Sequence, residues 1–227
     1  MEGLKETVKM TETESVVLVS GGVDSAVTFA EAVREDNKPP IALHARYGQH
    51  TSAKERDCAS SLAEHYNAEY VEVDLSDAFA AFGEGLTDDT DLSQHYDDEG
   101  VATSYVPMRN TVLLAVAAGV AEKRRATKVW YGPNADDRDG YADCRDEYAE
   151  AMESALTLGT DRVEFEVRRP VVSMEKDEIV GHGDELGVPF EHTWSCYQNG
   201  DEPCGVCASC EERARGFERA GVKDPVH

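Results

Sequence analysis

Apolar residues along this chain alternate between two patterns. Short, nearly unbroken runs occur at Val16-Val17-Leu18-Val19, Ile41-Ala42-Leu43-His44-Ala45 and Tyr70-Val71-Glu72-Val73-Asp74-Leu75, and again at Lys128-Val129-Trp130-Tyr131-Gly132. Each is rich in β-branched or aromatic residues, is bounded by turn formers, and reads as a strand. Val163-Glu164-Phe165-Glu166-Val167 alternates cleanly and predicts a further strand with one solvated face. Between these runs apolar residues recur at helical spacing. Examples are Ala26, Val27, Ala30 and Val33, the stretch from Ser52 to Tyr66, the apolar run Val112 to Ala121, and residues from about Asp143 to Leu158. A last helix of this series, capped by Ser173, runs to about Leu186 and stops at Gly187 before Pro189. Strand alternating with helix predicts an α/β fold with a doubly wound parallel sheet covered on both faces. The expected organisation is a polar leader over 1–14, an α/β domain over 15–190 with a glycine- and aspartate-rich insertion at 76–104, and a tail over 191–227 packed on the same domain.

The first strand leads into Ser20-Gly21-Gly22-Val23-Asp24-Ser25 and a helix. A strand, a glycine turn and a helix N-terminus together build an anion site, because backbone N–H groups and the positive end of the helix dipole converge there. No Lys-Ser/Thr follows the glycines, so this is not a Walker loop, and no G-x-G-x-x-G dinucleotide pattern is present. Instead the loop offers hydroxyls at Ser20 and Ser25 and a carboxylate at Asp24. A carboxylate beside phosphates makes chemical sense when a divalent cation lies between them.

Composition narrows the possibilities. A formal charge of -24 on 227 residues is extreme for an enzyme, and acidic residues are spread through the whole chain. With 41% hydrophobic residues and clear strands, this reads as a solvated, salt-adapted surface of the kind found in hypersaline cytoplasm rather than as disorder. Such a field repels nucleic acid, which argues against a polyanionic partner. No apolar run approaches the ~18–20 residues of a membrane span, and the polar first residues do not form a signal peptide. A cytoplasmic setting follows, in which disulfides among the cysteines are not expected.

The tail carries Cys196, Cys204, Cys207 and Cys210 on a turn-rich segment marked by Gly200, Pro203 and Gly205. Four thiolates are sufficient for a closed tetrahedral zinc site, whose role would be structural. An iron–sulfur cluster is the competing occupant; the upstream fourth ligand and the absence of a following Cys-Pro favour zinc. Cys58, on a helix, and Cys144, in a loop, read as packed residues rather than nucleophiles.

Ser-Gly-Gly-Val-Asp-Ser resembles the pyrophosphate loop of the N-type ATP pyrophosphatases. Tyr47-Gly48-Gln49, Val106-Pro107-x-Arg109-Asn110, Gly140-Tyr141-x-Asp143-Cys144-Arg145, Trp194-Ser195-Cys196-Tyr197 and Cys204-Gly205-x-Cys207-x-Ser209-Cys210 follow in order. Together they resemble the 7-cyano-7-deazaguanine synthase family, from about Ser15 to Pro225. Three departures stand out: His50 where the family usually has Arg, Met108 where it has Gly, and Asp139-Gly140-Tyr141-Ala142-Asp143 in place of Ser-Gly-Tyr-Pro-Asp.

The resemblance implies an adenine nucleotide α-hydrolase (HUP-type) fold and an ATP-dependent conversion of a deazaguanine carboxylate to a nitrile with ammonia. It implies that Ser20, Gly21, Gly22, Val23, Ser25 and Ala26, with Gln49, bind ATP, while Asp24 ligates Mg²⁺. Lys176, opening a helix, suits phosphate as a mobile point charge, and Arg109 suits carboxylate or phosphate through its planar fork. Asp24, Ser25, Arg109 and Lys176 form the expected catalytic set. Asn110, Tyr141, Asp143 and Arg145 join Arg109 around the substrate: Asp143 offers two acceptors to a guanine-like edge, Tyr141 a stacking face, and Arg145 either a contact or a pairing with an acidic neighbour. A homodimer acting on small molecules is the implied assembly. Two other readings share the loop, a tRNA-thiolating ATP pyrophosphatase and a non-catalytic nucleotide sensor. The first needs a reactive cysteine in the cleft and a basic surface; the intact Asp24 speaks against the second.

Overall fold

A computed structural model describes residues 13–81, 104–138 and 140–226. Five parallel strands form its sheet: β1 (Ser15–Leu18), β2 (Ile41–Arg46), β3 (Glu69–Asp74), β4 (Lys128–Trp130) and β5 (Glu166–Arg168), in the order β3-β2-β1-β4-β5. The first run pairs on both sides, Val16 with Ile41 and with Val129, and so becomes the central strand. The order reverses between β1 and β4, and the chain diverges there to opposite sides of the sheet.

The helices are α1 (Val23–Glu35), α2 (Ser52–His65), a short α3 (Ser76–Phe79), α4 (Arg109–Arg124), α5 (Asp146–Leu158), α6 (Lys176–Leu186) and α7 (Ala208–Ala220). Period-two alternation along the strands splits the core into two layers. Val17, Val19, Ala42 and Trp130 pack with Val27 and Phe29 of α1, Leu62 of α2, Ile179 of α6 and Phe217 of α7. On the opposite face Val16, Ile41, Leu43, Val129 and Val167 pack with Leu114 and Ala118 of α4 and Ala149 of α5. The predicted doubly wound architecture is therefore observed. Among the described residues no helix is long and apolar enough to cross a membrane.

Some boundaries differ from expectation, each for a local reason. The last strand covers 166–168 rather than 163–167, because β4 offers only three partners and its ladder begins at Glu166–Lys128. Upstream, the Phe165 amide donates to Thr157 Oγ1 instead. The cap of α6 is Glu175, not Ser173: Glu175 and Glu178 satisfy each other's backbone amides in a reciprocal capping box. From the expected polar leader, Thr13 and Glu14 are described and both are tied into the fold. Thr13 Oγ1 donates to Pro39 O, and Glu14 O accepts from the amides of Thr127 and Lys128. Most of the expected insertion, 82–103, and Asp139 lie outside the described residues.

Met108 explains one departure from the family pattern. It immediately precedes α4 with φ 56°, in the left-handed region, and its side chain is 58% exposed. An L-residue there carries roughly 1–2 kcal/mol of strain that glycine escapes, partly offset by glycine's larger entropy loss on folding. Met108→Gly is therefore expected to stabilise the protein by about 0.5–1 kcal/mol. A denaturant midpoint equal to or below the wild-type value would contradict this.

Candidate active site

Ligands of open α/β sheets bind beyond the carboxyl ends of the strands, where the strand order reverses. Here that crevice lies between the loop after β1 and the loop after β4, and it opens into a cavity of about 290 Å³. Gly21 has φ 86°, and a Cβ there would sit 2.8 Å from both Cys58 Cβ and Glu55 O of α2. Only glycine allows both the turn and that approach. Ser25 Oγ ties the loop to itself: it accepts from the Ser20 amide at 3.2 Å, donates to Gly22 O at 2.9 Å and lies 3.0 Å from Ser20 Oγ. The loop is thus preformed at the N-terminus of α1. Gly132 closes the other wall, since a Cβ there would meet Thr28 Oγ1 at 2.8 Å and Asp24 O at 3.0 Å.

Asp24 in the first turn of α1 is the hub. Both its carboxylate oxygens lie 2.7 Å from Lys176 Nζ, and Oδ2 also accepts from Asn134 Nδ2 at 3.0 Å. Lys176 is the first residue of α6, so 152 residues of chain separate the partners. Three residues that the sequence did not single out complete the cluster. Buried Asn134 uses both ends of its amide, because its Oδ1 accepts from the Asp137 backbone at 3.0 Å. Glu212 of α7 reaches Lys176 Nζ at 3.2 Å. Asp137 faces the same cavity, where burial and the negative charge of Asp24 push its carboxyl up to about 7. Asn134 and Asp137 lie beyond β4 at the order reversal, which is the one signal that could have flagged them.

The Asp137 shift fixes a sign. Its folded value lies above the ~4 of an unfolded aspartate, so the folded state binds the proton more tightly. This contribution to stability is present below about pH 4 and is lost as pH rises through about 7. Asp137→Asn should therefore gain thermal stability over wild type by an amount that widens from pH 5 to pH 7 and then levels off. A gap constant across that range would refute the assignment.

On the side of α4, Arg109 lines the cavity with Asn110 and Tyr141. Burial disfavours the Arg109 charge, but Tyr47, Tyr141 and Asp143 around it outweigh that and raise its pKa. Tyr47 itself is pushed up to about 12 by burial. Tyr141 Oη is fixed 2.5 Å from Ser104 Oγ. Asp143 Oδ2 accepts from the Asn110 amide at 3.3 Å, which places its carboxylate at the start of α4 beside Arg109. Two expected residues stand apart. Gln49 is buried and its amide holds the turn after β2, accepting from the Tyr47 amide and donating to Glu55. Arg145 is exposed and donates to Arg138 O. His50 is exposed at the turn before α2.

The tail returns to the loop it follows by so many residues. The Trp194 amide donates to Gly21 O at 2.8 Å, and Trp194 Nε1 donates to Cys196 O. The sulfurs of Cys196, Cys204, Cys207 and Cys210 all lie within 4.8 Å of one another. A tetrahedral site with metal–sulfur bonds of about 2.3 Å needs sulfurs about 3.8 Å apart, close to this spacing. Backbone N–H groups of Gln198 and Cys204 point at Cys196 Sγ at 3.2 and 3.3 Å, the arrangement that favours a thiolate. These residues fit a bound metal ion. Elsewhere burial raises the thiols, Cys58 to about 11 and Cys144 further, so neither is activated as a nucleophile.

A parallel sheet of this order, with a preformed glycine loop at its reversal and a carboxylate–lysine pair beside it, is the fold of the PP-loop, HUP-type class. Solved structures agree on the fold. A U34-tRNA thiolase from Methanococcus maripaludis, described with its [4Fe-4S] cluster, superposes with a TM-score of 0.50 at 17% identity, over 92% of this chain and 65% of that one. An NMN synthetase from Francisella tularensis gives 0.50 at 18%, over 93% and 79%. Within that class, the chain belongs to the queuosine biosynthesis protein QueC family, whose model matches residues 14–221. It is 46% identical over 217 residues to a 7-cyano-7-deazaguanine synthase from Sulfurovum sp., covering 94% of this chain and 97% of the relative. It is 43% identical to one from Methanoculleus marisnigri over the same shares.

Proposed function

We propose that the protein is an ATP-dependent ligase that converts 7-carboxy-7-deazaguanine and ammonia to 7-cyano-7-deazaguanine, the product its relatives are named for. The substrate carboxylate attacks the α-phosphorus of ATP and expels pyrophosphate. Ammonia then displaces AMP from the acyl-adenylate, losing a proton and leaving the amide. The amide oxygen attacks the α-phosphorus of a second ATP and expels a second pyrophosphate, and loss of AMP and two protons then leaves the nitrile.

The observation that carries this reading is the convergence of loop, Asp24 and Lys176 at the order reversal, in a chain of this family. Ser20, Gly21, Gly22, Val23 and Ser25 are proposed to offer amides and hydroxyls to the pyrophosphate at the positive end of the α1 dipole, while the Ala26 amide closes the first helical turn on Gly22 O. Asp24 is the residue here to ligate Mg²⁺, which when bound supplies charge neutralisation to the phosphates. Lys176 supplies a phosphate counter-charge. Arg109 is suited to hold the substrate carboxylate through two parallel N–H donors. Asn110, Tyr141 and Asp143 line or adjoin the same side, which supports assigning them to the deazaguanine ring.

Cys196, Cys204, Cys207 and Cys210 are proposed as a structural zinc site; the sulfur spacing and closed four-thiolate set support it. The raised thiols of Cys58 and Cys144 and the acidic composition disfavour sulfur delivery to tRNA. A cytoplasmic homodimer acting on small molecules, without nucleic acid, completes the proposal.

Pyrophosphate release assayed with each component omitted tests this reading. Release should require the deazaguanine acid and be indifferent to tRNA. Release only when tRNA is present would favour the thiolating alternative.

A further inference from the structure

Lys176 is fixed along its whole length. Its backbone amide donates to Asp136 Oδ2 at 3.1 Å, and its stem crosses α7 at Gly216, where a Cβ would lie 2.4 Å from Lys176 Cγ. The ammonium head then sits between two carboxylates on different elements, Asp24 of α1 at 2.7 Å and Glu212 of α7 at 3.2 Å. Its side chain is only 13% exposed. The helix that provides both Gly216 and Glu212 begins at Cys207 and carries Cys210, so the cysteine cluster sets where these contacts fall.

This geometry conflicts with a simple division of labour. Both Asp24 oxygens are taken up by Lys176, yet Asp24 is the residue proposed to ligate the metal of ATP. An ammonium group and a metal ion cannot both occupy the bidentate position. Releasing a nearly buried lysine from Asp24 would be costly if no second carboxylate faced it, since an unpaired buried charge is strongly disfavoured. Glu212 removes that cost, because it already lies 3.2 Å from the same ammonium.

We propose that Lys176 is the resident counter-cation of Asp24 and yields that position to the metal, and that Glu212 is a positioning residue that retains the ammonium as it does so. The tail helix thereby acts on the nucleotide site, although it contributes no group to the loop. The proposal rests on the assignment of Asp24 as a metal ligand. It has two consequences. Lys176 competes with the divalent cation, and Glu212 influences cation affinity only through Lys176.

Mn²⁺ binding to the protein without ATP, followed by electron paramagnetic resonance of the free ion, tests both. The relevant site is the one lost in Asp24→Ala, which separates it from weak binding elsewhere on an acidic surface. Lys176→Met should bind Mn²⁺ at this site at least about ten-fold more tightly than wild type. Arg215→Met, which removes an α7 charge that does not line the cavity at the loop, controls for the general field and should change affinity much less. Glu212→Gln should weaken binding several-fold in the wild-type background and leave it unchanged in the Lys176→Met background, as a double-mutant cycle requires of a residue acting through another. Each variant should remain folded with the wild-type complement of cysteine-bound metal, and Lys176→Gln carries the same expectation should Lys176→Met fail to fold. Unchanged affinity in Lys176→Met, or a Glu212→Gln effect of equal size in both backgrounds, would overturn the exchange. Wild type with no Asp24-dependent site would overturn the metal assignment of Asp24 itself, leaving the substrate-dependent pyrophosphate release to be judged separately.

Discussion

Asp24→Ala is expected to lower pyrophosphate release by at least about 10³-fold while leaving the protein folded. The loss is large because the carboxylate is the proposed metal ligand and holds Lys176 through two contacts and Asn134 through a third. The fold should survive because Asp24 lies at the cleft surface in the first turn of α1, and the core residues beside it, Val23, Ala26 and Val27, are untouched. Its removal also relieves electrostatic pressure. Asp137 and Glu212 both have raised carboxyls, first through burial and partly through the charge of Asp24. Lys176 keeps Glu212 as a counter-ion. Steady-state pyrophosphate assay and thermal melting, run together, check both halves. Turnover within ten-fold of wild type would remove Asp24 from the catalytic set.

Cys207→Ser should lower bound metal and destabilise the protein by several kcal/mol, roughly 10 °C in melting temperature for a chain of this size. Cys207 is buried and is the cap residue of α7. Serine is a favoured cap, so the substitution preserves the helix start and isolates loss of the ligand. The damage should spread beyond the tail. Phe217 of α7 packs in the larger core layer against Phe190, and buried Arg213 ties α7 to Asp224, Thr193 and Ser195. Activity should fall as well, because α7 carries Glu212 and Gly216 against Lys176. Elemental analysis and melting curves report both effects. Stoichiometric iron instead of zinc in the wild type would overturn the proposed occupant.

What the sequence revealed and what it hid divide along a physical line. Period-two runs, a glycine turn and helical spacing are local signals, and they placed β1, the loop and α1 with little ambiguity. The cysteine spacing is also local, and the four sulfurs do converge. Lys176 was found because it opens a helix after the last strand, a position that topology alone brings to the reversal. Asn134, Asp137 and Glu212 went unnoticed because their roles depend on which distant residue they meet. Glu212 lies in a charged helix whose composition resembles any solvated surface, yet the packing of α7 on α6 turns that carboxylate inward. The shortened β5 has the same origin. Val163 to Val167 has the pattern of a strand, but pairing is decided by the partner, and β4 reaches only far enough to pair 166–168. Gln49 shows the converse case, a family-motif residue whose side chain the structure engages in holding a turn.

One site is expected to make a nitrile from a carboxylate with ATP and ammonia. Mass spectrometry of the products formed from 7-carboxy-7-deazaguanine, ATP, Mg²⁺ and ¹⁵N-ammonium measures this directly, with AMP quantified in the same reaction. The expected result is 7-cyano-7-deazaguanine carrying one ¹⁵N, with two AMP released for each nitrile. Recovery of the unchanged acid, with AMP formed only when tRNA is added, would contradict it.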